Sequence, residues 1–395
     1  MAARRVTYQE YMEWAALRPR TNDWSALVAY DKDKCNHLLH QEYIQKFDSN
    51  SYMPPIDDTY ATGETTWYWL NDYQTDVPRL SFENNPDGNG GNVAEANMSM
   101  SIVGGTEIEL YSGPGGGVEV TKISSFDPLD HPELKANRVS LKDIVGQVDQ
   151  GGSVVLDLGD PAAQRYVWEL TGSRIEHVRR VGGAYMKRKF REAELAHRTY
   201  KLGQLAYTEQ EFLKPAKFKM RTVMEAGANV RNAANFGNGA LELRIAMKGE
   251  LEGGFPREDW LYPIPSDLPG IDSSLIISNQ LLMHEIVAEA LRVAYKAPDA
   301  RFDEIKDANG VIQKLKVQAH AGSMTIAAFS FPDVGLNIRE FELPIHIDTE
   351  NLLEVTKTAP PFVETLSMYA GAGARGVDCV AFIGNDPVGK KFELF

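Results

Sequence analysis

Between Val93 and Val103 the sequence VAEANMSMSIV alternates without a break: Ala94, Ala96, Met98, Met100 and Ile102 fall on one side, Glu95, Asn97, Ser99 and Ser101 on the other. A two-residue period sends successive side chains to opposite faces of an extended chain, so it predicts a half-buried antiparallel strand. The period recurs in AKFKMRTVM, where Phe218, Met220, Thr222 and Met224 share a face, and in GALELRIAMKG, where Leu241, Leu243, Ile245 and Met247 do. TTWYWL, RLSFE, TEIEL, VEVTKI and SVVLDLG read as further strands ahead of these two. KLKVQAHAG, SMTIAAFSF, EFELPIHID and VDCVAFIG read as strands towards the end of the sequence.

Helical spacing is rarer. From about Asp33 to Phe47, the residues Cys35, Leu38, Leu39, Tyr43, Ile44 and Phe47 lie near one face, with Asp33 placed to cap the start. Residues 1–20 read as a short amphipathic helix or a leader that Pro19 ends, and a further helix is predicted near Met186–Arg198. The most apolar stretch is SSLIISNQLLMHEIVAEALRVAYKAP, Ser273–Pro298, in which thirteen of the twenty residues 275–294 are Leu, Ile, Val, Met or Ala. At the helical period Ser278, Glu285, Glu289, Arg292 and Lys296 form one narrow polar stripe, which predicts a long helix that needs cover on at least two sides. Ser273 or Ser274 would cap it and Pro298 would close it.

The order is thus one helix, many antiparallel strands, a long helix and more strands, without the alternating βα units of a doubly wound fold. It predicts an elongated α+β protein in which a highly curved antiparallel sheet clasps the 273–297 helix. Leu275, Ile276, Leu282, Met283, Ile286 and Val287 would then contribute the apolar wall of a groove beside that helix. Residues 1–395 are expected to form a single unit, with two lobes meeting near 170–215 as the alternative division.

Composition narrows the function classes. A net charge of −14 over 395 residues argues against a nucleic-acid binder, which needs a basic face. Two distant cysteines, Cys35 and Cys379, make neither a disulfide framework nor a zinc site. The first residues lack a signal-peptide core, and no window reaches the roughly 18 apolar residues of a membrane span. The expectation is synthesis in the cytoplasm, with any export by a signal-peptide-independent route.

One segment runs against the acidic background. Residues 174–201 hold nine Lys or Arg against three Glu. Arg179, Arg180, Lys187, Arg188 and Lys189 are the core of a candidate patch for anionic head groups, through peripheral membrane contact, or for an acidic partner. The simpler reading is a solvated helix that pairs with the acidic body.

Catalytic chemistry finds little support. The glycine clusters NPDGNGGN, SGPGGG and GAGARG lack the GK[ST] ending of a phosphate loop. HLLHQE and MHEIVAE do not make the HExxH arrangement, so no metal is expected, and no serine sits in GxSxG. No cofactor is implied, and a non-enzymatic protein is the expectation.

Several of these runs share a second property. DWSALVAYDKDKCNHLL with its Trp24 and Asn36, TGETTWYWL, GALELRIAMKG and YPIPSDLPGIDSSLIISNQLLMHEIV, in that order over most of the chain, resemble the 47-kilodalton accessory proteins of OrfX-type clostridial neurotoxin gene clusters. The resemblance implies the tubular lipid-binding (TULIP) architecture, a curled antiparallel sheet around a long helix, often with an apolar groove. It implies a ligand that is a lipid or another apolar molecule, and other proteins of the same gene cluster as partners. It implies no catalytic residues. The alternative function is a protein-interaction accessory component of a toxin-like or secreted complex, with a filled core and no ligand.

Overall fold

The structure, a computed structural model, describes residues 2–83, 94–125, 132–143, 153–160, 167–205, 213–254, 259–283, 288–289, 301–306 and 308, and a set of strands between 312 and 384. It opens with β1 (Ala2–Ala3), α1 (Tyr8–Ala16), β2 (Ala26–Asp31) and α2 (Lys32–Asp48). Nine strands then follow: β3 (Ile56–Ala61), β4 (Thr66–Thr75), β5 (Arg79–Ser81), β6 (Glu95–Ser112), β7 (Val118–Ser125), β8 (Glu133–Asp143), β9 (Ser153–Asp157), β10 (Trp168–Leu170) and, after α3 (Glu176–Glu192) and α4 (Leu195–Arg198), β11 (Thr199–Gln204). These nine make one sheet in the order β11-β9-β8-β6-β4-β3, with β10 on β8 and with β5 and β7 on β6.

A second sheet draws on the whole described chain. Its later strands are β12 (Pro215–Glu225), β13 (Gly239–Met247) and β14 (Ile271–Ile277), then β22 (Met368–Ala372) and β23 (Cys379–Gly384). The order is β1-β12-β13-β2-β14-β23-β22, antiparallel throughout except where β1 runs parallel to β12. Between β14 and β22 lie β15 (Phe302–Lys306), β16 (Ile312–Val317), β17 (His320–Ile326), β18 (Phe329–Phe331), β19 (Leu336–Ile338), β20 (Phe341–Ile347) and β21 (Glu354–Thr356), which pair into three small sheets. The α+β class and the predominance of antiparallel sheet agree with the sequence patterns, and one sheet is strongly curled into a half-barrel.

The alternating runs fold as their period requires. Ala94, Ala96, Met98, Met100 and Ile102 are all buried, as are Phe218, Met220, Leu241, Leu243 and Ile245. They meet in one large core shared by the two big sheets, where α2 inserts Cys35 and Leu39. A second core covers the opposite face of the seven-stranded sheet. There the 1–20 segment supplies α1, whose capping box joins Thr7 and Glu10, and packs Tyr11 and Trp14 beside Trp260, Tyr262 and Ile264.

The helices differ from the spacing in three places. α2 starts earlier than expected: Asp31, not Asp33, caps it, its Oδ1 accepting from the Lys34 amide at 2.9 Å. Ile44 and Phe47, assigned to its apolar face, are exposed, because the last turns present Tyr43 and Lys46 to the sheet instead. α3 begins at Glu176, ahead of the expected start, across a Gly182–Gly183 pair that lets it lie directly on β10.

The largest correction concerns Ser273–Pro298. Ser273–Ile277 is strand, not helix: β14 pairs with β2 on one side and β23 on the other, so both rows of backbone groups are satisfied. The β-branched Ile276 and Ile277 favour this state, and a short apolar run fits either period. The helical turn starts only after Ser278, whose Oγ accepts from the Leu281 amide at 3.1 Å. It is described as far as Met283 and again at 288–289; the remainder of the expected helix lies outside the described residues. Among the described residues no helix is long and apolar enough to cross a membrane.

Candidate functional site

Because β14 is a strand, Leu275 and Ile276 face opposite sides of the sheet and cannot share one wall. Leu275 points into the large core; Ile276 is buried in the second core beneath α1. Leu282 is half-buried, and Met283 is buried in a small cluster with Ala288 and Ile312. Ile286 and Val287 lie outside the described residues. The expected groove set is therefore divided between surfaces.

Register brings together a different apolar surface. Cross-strand partners share a face, and three rows cross β13, β2 and β14: Ile245–Ala26–Ile277, Leu243–Val28–Leu275 and Leu241–Tyr30–Ser273. At β13 this face is sealed, with Leu241, Leu243 and Ile245 no more than 4% exposed. At β2 and β14 the cover thins, leaving Val28, Tyr30, Leu275 and Ile277 half-buried. Leu205, Leu213 and Met247 border the same core and are also half-buried. The result is an apolar shelf continuous with the core. Burial holds the Tyr30 phenol above its ordinary pKa, so it stays a neutral hydrogen-bond donor. Alternation alone marks Met247 as inward; the half-exposed state of Val28 and Tyr30 has no signal in sequence.

A cleft of about 350 Å³ lies elsewhere, between the last turn of α2 and β9, β11 and α4. Glu42, Lys46, Ser51, Ser153, Thr199 and Lys201 line it. The ammonium of Lys46, a residue only 5% exposed, bonds the Ala196 carbonyl and lies 5.2 Å from the centre of the Tyr200 ring. Its desolvation lowers the lysine pKa. Its walls combine hydroxyls and opposed charges with apolar surface from Val155, Ala196 and the lysine stems.

On the other face of β12 and β13 a two-residue period would leave polar side chains to solvent. Glu242 and Arg244 of β13 are instead buried, with Arg221 of β12 beside them, while Lys217 and Lys219 stay at the surface. Glu242 accepts from Trp260 Nε1 at 2.7 Å and from Arg221 Nε at 2.5 Å. Arg221 lies over the Trp260 ring and Arg244 over the Trp24 ring, at 5.2 and 5.6 Å. Arg20 stacks on Trp14 and reaches Asp259 at 3.0 Å. Burial above all, and then Arg221 nearby, push the Arg244 guanidinium down to about 10. Glu242 answers Arg221 and Asp259 answers Arg20, and the network ties α1 and the 259–262 segment to the sheet.

The basic segment forms α3 and α4. Arg180 pairs with Glu176 at 2.6 Å, Arg188 with Glu192 at 3.7 Å, and Arg179 with Glu169 at 3.7 Å. Lys189 binds Asp58 on β3, and Lys187 is partly desolvated, which with Arg191 lowers its pKa. Four of the five patch cations thus hold carboxylates of the same chain. No group of three or more His, Cys, Asp or Glu side chains able to hold a metal ion occurs among the described residues.

No protein-family model matches the sequence, and no curated protein does. Among solved structures there are matches at low superposition scores. P47 from Clostridium botulinum A2 superposes with a TM-score of 0.43 at 12% identity, over 82% of this chain and 67% of that one. P47 of Clostridium botulinum E1 gives the same score and identity over 91% and 76%. A lipopolysaccharide binding protein gives a TM-score of 0.23 at 8% identity, over 82% and 78%. The family that the sequence resembles is therefore found again among the structural neighbours.

Proposed function

We propose that the protein is a non-enzymatic, TULIP-like binder of an apolar ligand, and that an acyl chain lies along the shelf formed by β2 and β14. The observation that carries this reading is the loss of cover across one continuous apolar face: complete over Leu243 and Ile245, partial over Val28, Leu275 and Ile277. Hydrocarbon laid there leaves water and extends a core already present. At about 0.8 kcal/mol per fully buried methylene, a run of about ten on an open shelf gains at most roughly 8 kcal/mol before ordering costs, so micromolar affinity is the upper bound.

The test is native mass spectrometry of freshly purified protein, followed by titration with a fluorescent fatty acid. Wild type should retain or take up one acyl chain. Leu275→Trp and Ile277→Trp, which fill the shelf with side chain, should displace it without lowering the melting temperature. A wild-type protein that carries no apolar molecule and ignores the probe would overturn the proposal, and would favour an assembly component with a filled core.

A further inference from the structure

β7 is the least protected strand among the described residues. It pairs only with β6, and seven of its eight residues are exposed. Val118 and Ile123 are each 64% exposed and Val120 is 58% exposed, on a strand with one open edge. An uncovered edge offers a row of unpaired amide and carbonyl groups to any extended segment of matching chemistry.

The sequence of β7 specifies which segment matches. Its register on β6 sets Tyr111 against Glu119, Leu110 against Val120, Glu109 against Lys122 and Ile108 against Ile123, so Thr121 is an extra, bulged residue. In an unbulged strand residues 119 and 122 point to opposite faces, as do 118 and 123. The extra residue brings Glu119 and Lys122 to one face and Val118 and Ile123 to the other. Both are exposed, and among the described residues neither closes an ion pair, although Lys122 stands across from Glu109 and near Glu107 in its own sheet.

We propose that β7 pairs antiparallel with β7 of a second copy of this chain, about a two-fold axis between Val120 and Thr121. That register sets Glu119 opposite Lys122 of the second copy and Val118 opposite Ile123 of the second copy, each contact occurring twice. Both charges find the opposite sign, both exposed apolar residues find an apolar partner, and every pair lies on one face. The sheet β3-β4-β6-β7 then continues into its copy. The pairing is closed, because it uses the open edge of each β7 once.

Sedimentation velocity of the full chain over a wide concentration range tests it. Wild type should dimerise with rising concentration. Glu119→Lys and Lys122→Glu alone each put like charges across the axis and should weaken dimerisation about tenfold or more. The double exchange Glu119→Lys with Lys122→Glu should restore it. Independently, Val118→Cys combined with Ile123→Cys should give a disulfide-linked dimer on mild oxidation, and Val118→Cys alone should not, since its opposite residue is Ile123. A wild type that stays monomeric, a dimer indifferent to the single reversals, or an absence of cross-link in the paired variant would each overturn the proposal.

Discussion

Gly183→Ala in α3 sets two general effects against each other, and the structure decides between them. On helix propensity alone the change stabilises by about 1 kcal/mol, because alanine holds a helix better than glycine. At this position, however, a methyl group would stand 2.0 Å from the Trp168 carbonyl oxygen and 2.5 Å from the Glu169 amide nitrogen, where real contacts stay beyond 3.0 Å. The obstacle is backbone of β10, which cannot rotate away. α3 must withdraw by about 1 Å, and withdrawal loosens Met186 and Phe190, both wholly buried against the sheet. Overpacking of this kind costs about 1–3 kcal/mol, and partial loss of two large side chains from the core adds to it. The net expectation is a loss of about 2–3 kcal/mol. Gly182→Ala is the internal control: its nearest contacts are the Tyr60 hydroxyl at 3.1 Å and the Leu170 Cβ at 3.2 Å, so small shifts accommodate it. Urea unfolding with amide exchange on α3 reads both variants, and Gly183→Ala should lose protection along α3 and β10. Equal or greater stability of Gly183→Ala would refute the close approach of helix and strand.

Two further outcomes concern buried charge. Glu242→Gln removes the carboxylate that answers Arg221 and faces Arg244, and should cost about 3–5 kcal/mol, visible in chemical unfolding and in the fluorescence of Trp260, its hydrogen-bond donor. Burial, opposed by the Lys34 amide and aided by Asp33 and Asp272, raises the Asp31 carboxyl to about 7. The folded state then binds a proton more tightly than the unfolded one, so this group's contribution is full near the unfolded value of about 4 and falls as pH rises through 7. Asp31→Asn keeps the cap acceptor without the charge. It should stabilise the protein by up to a few kcal/mol above neutrality and leave it unchanged near pH 4; melting curves across that range check the sign.

Legibility in the sequence tracks the pattern of burial. Residues 94–102 are readable because one side of their strand is wholly apolar and buried while the other is polar and, Asn97 apart, half-buried, which is the condition under which a two-residue period appears. Ser273–Ile277 reads as helix because its serines, leucine and isoleucines carry no polar–apolar alternation to set against the helical spacing of residues 278–296. The burial of Glu242 and Arg244 depends on Trp14, Trp24 and Trp260, which only tertiary contact brings to that face. The shelf is of the same kind. Val28 and Leu275 are ordinary strand residues, and nothing local to them says that their cover stops short.

The two large sheets also differ in when they can exist. The nine-stranded sheet is drawn from residues 56–204, a continuous run that leaves the ribosome as one block. The seven-stranded sheet spans residues 2–384, and β14 acquires its second neighbour only when residues 379–384 arrive. About a hundred residues separate them, so at roughly 5–20 residues per second β14 waits on the order of ten seconds with one edge open. During that interval the nascent chain presents an unfinished strand beside hydrocarbon-lined surface, and the duration is fixed by the speed of translation. A chaperone or a stray β-edge has its opportunity there, which makes the rate of synthesis over residues 278–379 a determinant of yield.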